Sequence, residues 1–282
     1  MTLPALARRK SNPGRVYTHP LTDEQVPSVT NITGHKDKSG ALVGWAVKHT
    51  ANAAVKRFEE LVELAKEDPK YALKILNREY GTKTARARVA RELKGARFED
   101  KVPGTEYSPS ELGTLIHQAV EDDIHGRVPM LPRGGEGYFR QWQDFQKRFQ
   151  VDWRLVEATV WNRTLGYAGT LDLGGVFRNG RFYLIDIKTG NGVYPEYAMQ
   201  LEALSRAEFI LTTEGEELPI PEIHAMGILH LQRDFWELHE VKRNEMTWAA
   251  FLGLLEVRKW DQDAASLVLG ARVKGTADEE AA

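Results

Sequence analysis

Two carboxylates and a lysine on neighbouring strand-like segments are the residues whose types and spacing could do chemistry. Asp172 ends the segment Gly169–Asp172, and Asp186-Ile187-Lys188 begins fourteen residues after Asp172. A strand alternates its side chains, so Asp186 and Lys188 project from one face. Carboxylate oxygens bind a hard divalent cation such as Mg²⁺. A lysine beside such a cation can hold or activate a water near a phosphate. The pattern therefore indicates chemistry on phosphodiester bonds.

The loop between these two segments decides whether the carboxylates can meet. A strict two-residue loop at Asn179-Gly180 would place Asp172 across from Ile187, on the face away from Asp186. The site cannot assemble in that register. The sequence therefore predicts a three-residue loop ending in a left-handed residue, or a bulge near Gly174-Gly175. Either feature shifts the register by one residue and brings the carboxylates together.

The helix upstream of these strands has a well-marked start. The segment Ser108–Glu111 is a capping box with Ser108 as the cap and a proline at the first helical position. We expect the helix to run to His125, with Gly126 as its stop. A histidine on a helix is more often structural than a ligand. Because carboxylates follow downstream, His117 is nevertheless a candidate metal ligand, and Gly113 one turn earlier permits close approach to it.

The other elements follow from apolar periodicity and turn residues. Residues 1–25 read as an extended leader. We expect helices at about 39–67, 69–79, 84–94, 136–150, 195–212 and 245–260, and strands at about 153–162, 168–178, 181–188, 223–231 and 235–241. This order predicts a helical, net-basic N-terminal region at 1–100, a core at 101–270 and a flexible tail at 271–282.

The charge is distributed unevenly along the 282 residues. Residues 1–100 hold 19 Lys+Arg against 12 Asp+Glu, whereas residues 101–282 hold 19 against 28. This asymmetry suits a basic arm that guides phosphates toward an acidic, cation-filled centre. The alternative is a set of solvated helix faces. The residues expected to contact DNA from the basic region are Arg86, Arg88, Arg91 and Lys94.

The composition limits the class of protein. Hydrophobic residues make up 42% of the chain, which is enough for a substantial core, and there is no cysteine. No apolar run approaches the ~20 residues that span a bilayer, and the N-terminus has no apolar segment typical of a secretory signal. We therefore expect a cytoplasmic protein with no membrane partner.

The order of these motifs resembles the PD-(D/E)XK nuclease superfamily, in its RecB-like and phage-exonuclease branch. Asp172, Asp186 and Lys188 match the motif that names the superfamily. Gly113–His117 matches the upstream Gly-x-x-x-His helix of that branch. Gln200 falls twelve residues after Lys188, where a Gln-x-x-x-Tyr helix is expected.

The resemblance implies a fold and a metal site. The fold is a restriction-endonuclease-like α/β (α+β) core, a central mixed sheet flanked by helices, with a helical N-terminal addition. The implied ligands of Mg²⁺ or Mn²⁺ are His117, Asp172, Asp186 and the carbonyl of Ile187. Lys188 would position the water or stabilise charge on the phosphorane.

Further positions follow from the same resemblance. Glu157 matches an additional acidic position that would hold a second metal or support the first. Gln200 would orient the lysine or contact the DNA backbone, and Tyr197 on the same helix is a weaker candidate DNA contact. Two departures stand out: position 204 is leucine where the motif ends in tyrosine, and the absence of cysteine excludes the four-cysteine iron–sulfur cluster of some relatives.

The implied function is a metal-dependent deoxyribonuclease, most simply an exonuclease of phage or bacterial DNA recombination, repair or replication. Its expected partners are double- or single-stranded DNA and a single-strand annealing or recombination protein. Two alternatives remain open from the sequence. One is a structure-selective endonuclease, and the other is a non-catalytic DNA-binding or assembly module on the same fold.

Overall fold

The computed structural model describes residues 7–10, 14–36, 58–70, 102 and 105–270. The chain divides into two compact units, one of residues 36–100 and one of residues 1–35 with 101–282. The helix expected at 84–94, residues 39–57 of the helix expected at 39–67 and residues 71–79 of the helix expected at 69–79 lie outside the described residues, as does the tail from 271. The four basic residues expected to contact DNA lie outside them too: Arg86, Arg88, Arg91 and Lys94.

The N-terminal residues fold into the larger unit. They form a three-stranded antiparallel sheet of β1 (Ala7–Lys10), β2 (Gly14–Thr18) and β3 (Gln25–Pro27), followed by α1 (Val29–Thr33). Tyr17, Val29 and Ile32 are almost fully buried, which removes apolar surface from water. Part of the stretch expected to be an extended leader therefore contributes to the core.

The smaller unit is described through one helix, α2 (Phe58–Glu67), in which Lys66 pairs with Glu63 at 2.6 Å. The helix ends just before Asp68-Pro69, where the sequence predicted its end, because a proline disfavours helical geometry in the residue before it.

A seven-stranded mixed sheet forms the centre of the larger unit, with the order β10-β9-β6-β5-β4-β7-β8. The strands β6 and β9 run parallel, and the other neighbouring pairs are antiparallel. The strands are β4 (Asp152–Asn162), β5 (Tyr167–Val176), β6 (Phe182–Lys188), β7 (Phe209–Leu211), β8 (Glu217–Pro219), β9 (Ala225–Leu231) and β10 (Trp236–Val241).

Helices cover both faces of this sheet. The helices α3 (Pro109–Ile124) and α4 (Glu136–Phe149) share one apolar cluster with the sheet. The helices α5 (Pro195–Ser205) and α6 (Glu245–Asp263) share the other cluster with α1. The predicted central mixed sheet flanked by helices is thus confirmed. Among the described helices, none has both the length and the apolar composition needed to cross a membrane.

The β5–β6 hairpin has the three-residue loop that the sequence predicted. Phe177 N donates to Arg181 O at 2.9 Å, which leaves residues 178–180 as the loop. Gly180 at its end has a left-handed backbone with φ 74°. Leu173 consequently pairs with Ile185, so Asp172 comes next, across from Asp186, which is the register that the sequence predicted.

The helix predicted at 195–212 is shorter in the structure. It ends at Ser205, and Phe209–Leu211 forms β7, which pairs with Val160 and Trp161 of β4. All three residues of β7 are buried. A short apolar run has no periodicity that separates a buried strand from a helix end, so the sequence did not reveal β7. The strand β8 was not predicted either, since the exposed segment Glu217–Pro219 has no apolar pattern.

Candidate metal centre

The candidate centre lies where β5 and β6 separate. The regular pairing of the two strands ends at Leu173 and Ile185. Beyond that point, Asp172 Oδ2 accepts a hydrogen bond from Ile187 N at 2.8 Å. The carboxylate therefore takes the backbone donor that a continuing strand would otherwise use, and this bond fixes one of its two oxygens beside β6.

Glu157 approaches the same point from β4. The pairs Val156–Leu173 and Ala158–Leu171 place Glu157 across from Asp172. Its backbone is left-handed, with φ 48°, which is costly for a residue with a side chain. Both strands change faces here. Val156 and Leu173 pack in the α3/α4 cluster, whereas Ala158 and Leu171 pack in the α5/α6 cluster.

His117 reaches the separated strands from α3. Its Nδ1 lies 3.7 Å from Glu157 Oε1 and 3.7 Å from Asp172 Oδ2. Its Nε2 lies 3.1 Å from Ile187 O, and because a carbonyl oxygen only accepts, Nε2 carries the hydrogen of that bond. The Nδ1 lone pair of the neutral ring is then directed toward the carboxylates.

The start of α3 holds this histidine in place. The predicted capping box is present: Ser108 Oγ accepts from Glu111 N at 3.3 Å, and Glu111 Oε2 accepts from Ser108 N at 3.0 Å. One turn before His117, a Cβ at Gly113 would lie 2.9 Å from Thr189 Oγ1. Glycine therefore lets α3 approach the loop after Lys188.

The carboxylates change the protonation behaviour of His117. Burial alone lowers the pKa of the imidazole, but Asp172 and Glu157 outweigh this effect and raise the pKa above its ordinary value. A cluster of one imidazole and two carboxylates that attracts a proton in this way also attracts a metal cation. Potential ligand atoms of His117, Glu157 and Asp172 lie within 4.8 Å of one another.

Asp186 and Lys188 form an ion pair beside this cluster. Lys188 Nζ lies 2.5 Å from Asp186 Oδ2 and donates to Ile187 O at 3.2 Å. It also lies 5.0 Å from the ring centroid of Tyr197, a cation–π distance. Burial raises the pKa of Asp186 to about 6, with Lys188 opposing and Asp172 reinforcing the shift. Burial lowers the pKa of Lys188, but Asp186 and Asp172 together raise it.

In α5, the side chains of Gln200 and Leu204 make other contacts than the resemblance to the Gln-x-x-x-Tyr motif implies. Gln200 Nε2 donates to Thr33 Oγ1 on α1 at 3.2 Å, so its described hydrogen bond leads to α1 rather than to Lys188. Leu204 is buried in the core. A Cβ at Gly169 would lie 2.3 Å from Leu204 Cδ2, which means that α5 packs closely on β5 at this position.

Two residues that were not predicted as site residues hold the loop after Lys188 by hydrogen bonds. They are His230, near the end of β9, and Gln232, which follows β9. His230 Nε2 lies 2.8 Å from Gly190 O, and Gln232 Nε2 donates to Thr189 O at 3.1 Å and to Gly190 O at 2.8 Å. Polar residues at alternate positions, 230 and 232, after the otherwise apolar Met226–Leu229 segment were the available signal.

The candidate residues thus fall into two groups. His117, Glu157 and Asp172 direct potential ligand atoms at one another, whereas Asp186 faces Lys188. Glu157, expected from the resemblance to hold a second metal or support the first, therefore lies with His117 and Asp172, and Asp186, expected as a metal ligand, lies against Lys188. The metal and catalytic roles of these residues stay predictions.

Comparisons with known proteins add little. No family model and no curated protein matches the sequence. Among solved structures, the chain is similar to the alkaline exonuclease LHK-Exo from Laribacter hongkongensis, with 14% identity, a TM-score of 0.29 and coverage of 55% of this chain and 86% of that one. It is also similar to the protein SSO0001, with 15% identity, a TM-score of 0.28 and coverage of 65% and 88%. Similarities this low do not identify a family or an activity.

Proposed function

We propose that this chain is a metal-dependent deoxyribonuclease that hydrolyses phosphodiester bonds. The observation that carries the proposal is the pairing of two adjacent groups. One is the His117–Glu157–Asp172 cluster, with potential ligand atoms within 4.8 Å of one another. The other is the ion pair of Lys188 and Asp186, in which Lys188 Nζ lies 2.5 Å from Asp186 Oδ2.

The donor set fits a divalent cation. Two carboxylates and one imidazole offer oxygen ligands for Mg²⁺ and a nitrogen that Mn²⁺ also accepts. We assign the ligands as His117 Nδ1, Glu157 and Asp172. When bound, such a cation would lower the pKa of a coordinated water and offset negative charge on the scissile phosphate. His117 Nε2–H on Ile187 O fixes the ring orientation that the ligand role requires.

Lys188 supplies the second charge of the proposed site. Its ammonium is held by Asp186, by Ile187 O and by the ring of Tyr197. These contacts limit its motion, so the ammonium can hold the attacking water or stabilise charge on the phosphorane without an entropy cost at the moment of reaction. Asp186 then acts by placing and charging the lysine.

The more specific proposal, that the chain is an exonuclease, rests on the order of the motifs along the sequence rather than on the geometry of the site. The resemblance of His117, Asp172, Asp186 and Lys188 to the PD-(D/E)XK superfamily supports an exonuclease of phage or bacterial recombination, repair or replication. It also supports DNA as the substrate, a single-strand annealing or recombination protein as a partner, and a cytoplasmic location. Tyr197 and Gln200 remain candidates for contacts to the DNA backbone.

The test is cleavage of end-labelled linear duplex, linear single-stranded and closed circular DNA, each with Mg²⁺, with Mn²⁺ and with EDTA. The wild type is compared with Lys188→Ala and with Lys242→Ala, a matched lysine exposed on the surface. We expect metal-dependent loss of linear DNA only. Lys188→Ala should lower the rate at least 100-fold, the scale of a lost electrostatic contact to the transition state, while Lys242→Ala keeps it.

The remaining outcomes separate the alternatives. Cutting of the circle would make the protein an endonuclease at the same site. Binding of DNA by folded protein without cleavage under any condition would favour the non-catalytic module. Equal activity of Lys188→Ala and wild type would remove Lys188 from the chemistry.

A further inference from the structure

A second cluster of metal-binding side chains lies on the β9–β10 hairpin. Glu237 pairs with His230 across the two strands, so their side chains share a face. His239 follows Glu237 by two residues on β10 and therefore points to the same face. Potential ligand atoms of the three residues lie within 4.8 Å of one another.

The distances in this cluster match the edges of a small coordination polyhedron. Glu237 Oε2 lies 3.6 Å from His230 Nδ1 and 3.1 Å from His239 Nε2. A tetrahedral Zn²⁺ with ligand bonds near 2.0–2.1 Å has ligand atoms about 3.3 Å apart. Two of the three separations are therefore close to those around one bound ion, and the third, between the two histidines, lies within 4.8 Å.

The buried histidine can present one ring nitrogen to an ion while the other contacts the loop. His230 Nε2 lies 2.8 Å from Gly190 O and 2.9 Å from Gln232 Nε2. In the tautomer that donates from Nε2 to Gly190 O, Nδ1 presents its lone pair toward Glu237 Oε2, 3.6 Å away. A histidine whose second nitrogen donates to a backbone carbonyl is the usual arrangement at metal sites. The side chain of His230 is only 7% exposed, while Glu237 and His239 are open to solvent at 55% and 44%.

We propose that His230, Glu237 and His239 form a Zn²⁺-class transition-metal site, separate from the His117 centre, that fixes the loop after Lys188. Two imidazoles and one carboxylate are a zinc donor set with an open fourth position, and imidazole nitrogen favours zinc over magnesium. The ion would reach an exposed hairpin edge directly from solvent.

The link to the loop runs through His230. In the parallel pairing of β6 and β9, Lys188 lies beside His230, and the other nitrogen of that ring is bonded to Gly190 O. An ion on Nδ1 would fix the ring and strengthen the Nε2–H···O bond. The loop at 189–192 would then open less often.

The opposing interpretation is an edge strand with charged and polar residues that only limit aggregation. It predicts no selective affinity for Zn²⁺. The two interpretations therefore differ in the affinity for Zn²⁺ and in how far that affinity depends on His230, Glu237 and His239. Both can be measured without nuclease activity.

The test uses full-length protein carrying His117→Gln and Asp172→Asn, which disable the first centre, stripped of metal with EDTA. Zn²⁺ binding is measured by calorimetry in this parent and after adding Glu237→Gln, His239→Gln or Glu240→Gln. Glu240 is the matched control because it lies next to His239 on β10, on the opposite face. We expect one Zn²⁺ per chain in the parent and in the Glu240 variant. The affinity should be at least 10-fold weaker in the other two variants.

Hydrogen exchange of residues 189–192 tests the link to the loop in the same proteins. We expect Zn²⁺ to slow exchange there in the parent and in the Glu240 variant, but not in the Glu237 or His239 variants. Zinc affinity that is equal in all four proteins would overturn the site. Loss of affinity in the two ligand variants without any Zn²⁺-dependent protection of the loop in the parent would overturn its coupling to Lys188.

Discussion

At the scale of single residues, the candidate centre depends on backbone geometry that ordinary strands avoid. Glu157 is left-handed inside β4, at φ 48°, and it lies across from Asp172 where β4 and β5 change faces. Such a conformation costs about 1–3 kcal/mol and persists only where the surroundings impose it. The strain directs the Glu157 carboxylate to within 3.7 Å of His117, so it has a clear structural consequence.

The strain at Glu157 can be measured by comparing glycine with alanine there. In an ordinary strand, alanine is the more stable residue by about 0.5–1 kcal/mol. At φ 48° the preference should reverse, and Glu157→Gly should match or exceed Glu157→Ala in free energy of unfolding. Urea unfolding with EDTA measures both. The same pair at Glu240, exposed on β10, should keep the ordinary order. An ordinary order at 157 as well would contradict the strain.

The charge of Asp172 should be visible in the titration of Asp186. Burial raises the pKa of Asp186 to about 6, and Asp172 adds to this shift. Removing the like charge with Asp172→Asn should therefore lower the pKa of Asp186. Carboxyl ¹³C NMR of metal-free protein measures the change, with Glu157→Gln as the control, since Glu157 is not among the main causes of the Asp186 shift. An unchanged pKa in Asp172→Asn would show that the two carboxylates are not coupled.

The same shift has a consequence for stability. Folded Asp186 keeps its proton to a higher pH than it does in the unfolded chain, where the ordinary value is 3.8. The stabilisation that comes from protonated Asp186 is therefore present at low pH, and it is lost as the pH rises from about 4 to about 6. Deprotonated Asp186 is therefore the form that the folded protein disfavours near neutral pH.

At the scale of elements, the helices hold the site by close approach to the sheet. Helix α5 packs on β5 through Leu204, and a Cβ at Gly169 would lie 2.3 Å from Leu204 Cδ2 and 3.3 Å from Val29 Cγ2. Leucine at 204 therefore belongs to the core. The residue that differs from the Gln-x-x-x-Tyr pattern has a packing reason in this chain.

This close packing predicts strong coupling between Gly169 and Leu204. Gly169→Ala should lower the free energy of unfolding by about 1–3 kcal/mol through overpacking. Leu204→Ala should lower it by about 2–5 kcal/mol. The double variant should lose less than the sum, with a coupling of about 0.5–3 kcal/mol. Urea unfolding of the four proteins completes the cycle.

The control for this cycle is Gly253→Ala on α6, where an added Cβ meets nothing within 4 Å. It should not destabilise the protein, because alanine favours a helix. Additive losses for Gly169→Ala and Leu204→Ala would mean that α5 can move away from β5 at little cost.

The elements differ in how far the sequence could predict them. The capping box at Ser108 and the three-residue loop ending at Gly180 follow from local rules, and both are present. The strand at 209–211 depends on pairing with β4, which no local pattern encodes. The contact of Glu157 with His117 also depends on a left-handed residue within a strand, which simple alternation cannot anticipate.

At the scale of the whole molecule, the N-terminal sheet is part of the structure that supports the centre. Tyr17 on β2 is 1% exposed and packs with Trp161 and Ala168 of the central sheet. Its hydroxyl lies 2.7 Å from Thr170 Oγ1, two residues before Asp172. The partners of this short stretch come from residues more than a hundred positions away, so its place in the core could not be predicted from the local sequence.

This arrangement predicts that a substitution at Tyr17 destabilises the larger unit as a whole. Tyr17→Ala should lower its free energy of unfolding by about 3–5 kcal/mol, the usual cost of removing a buried aromatic side chain. Tyr17→Phe should cost only about 0.5–1.5 kcal/mol, for one hydrogen bond. Tyr194→Phe, at a tyrosine that is 52% exposed, should cost almost nothing. Urea unfolding followed by circular dichroism and by tryptophan fluorescence should give coincident transitions for this unit. Local fraying of residues 14–35 in Tyr17→Ala, with the central sheet as stable as in wild type, would show that the N-terminal sheet is an independent addition.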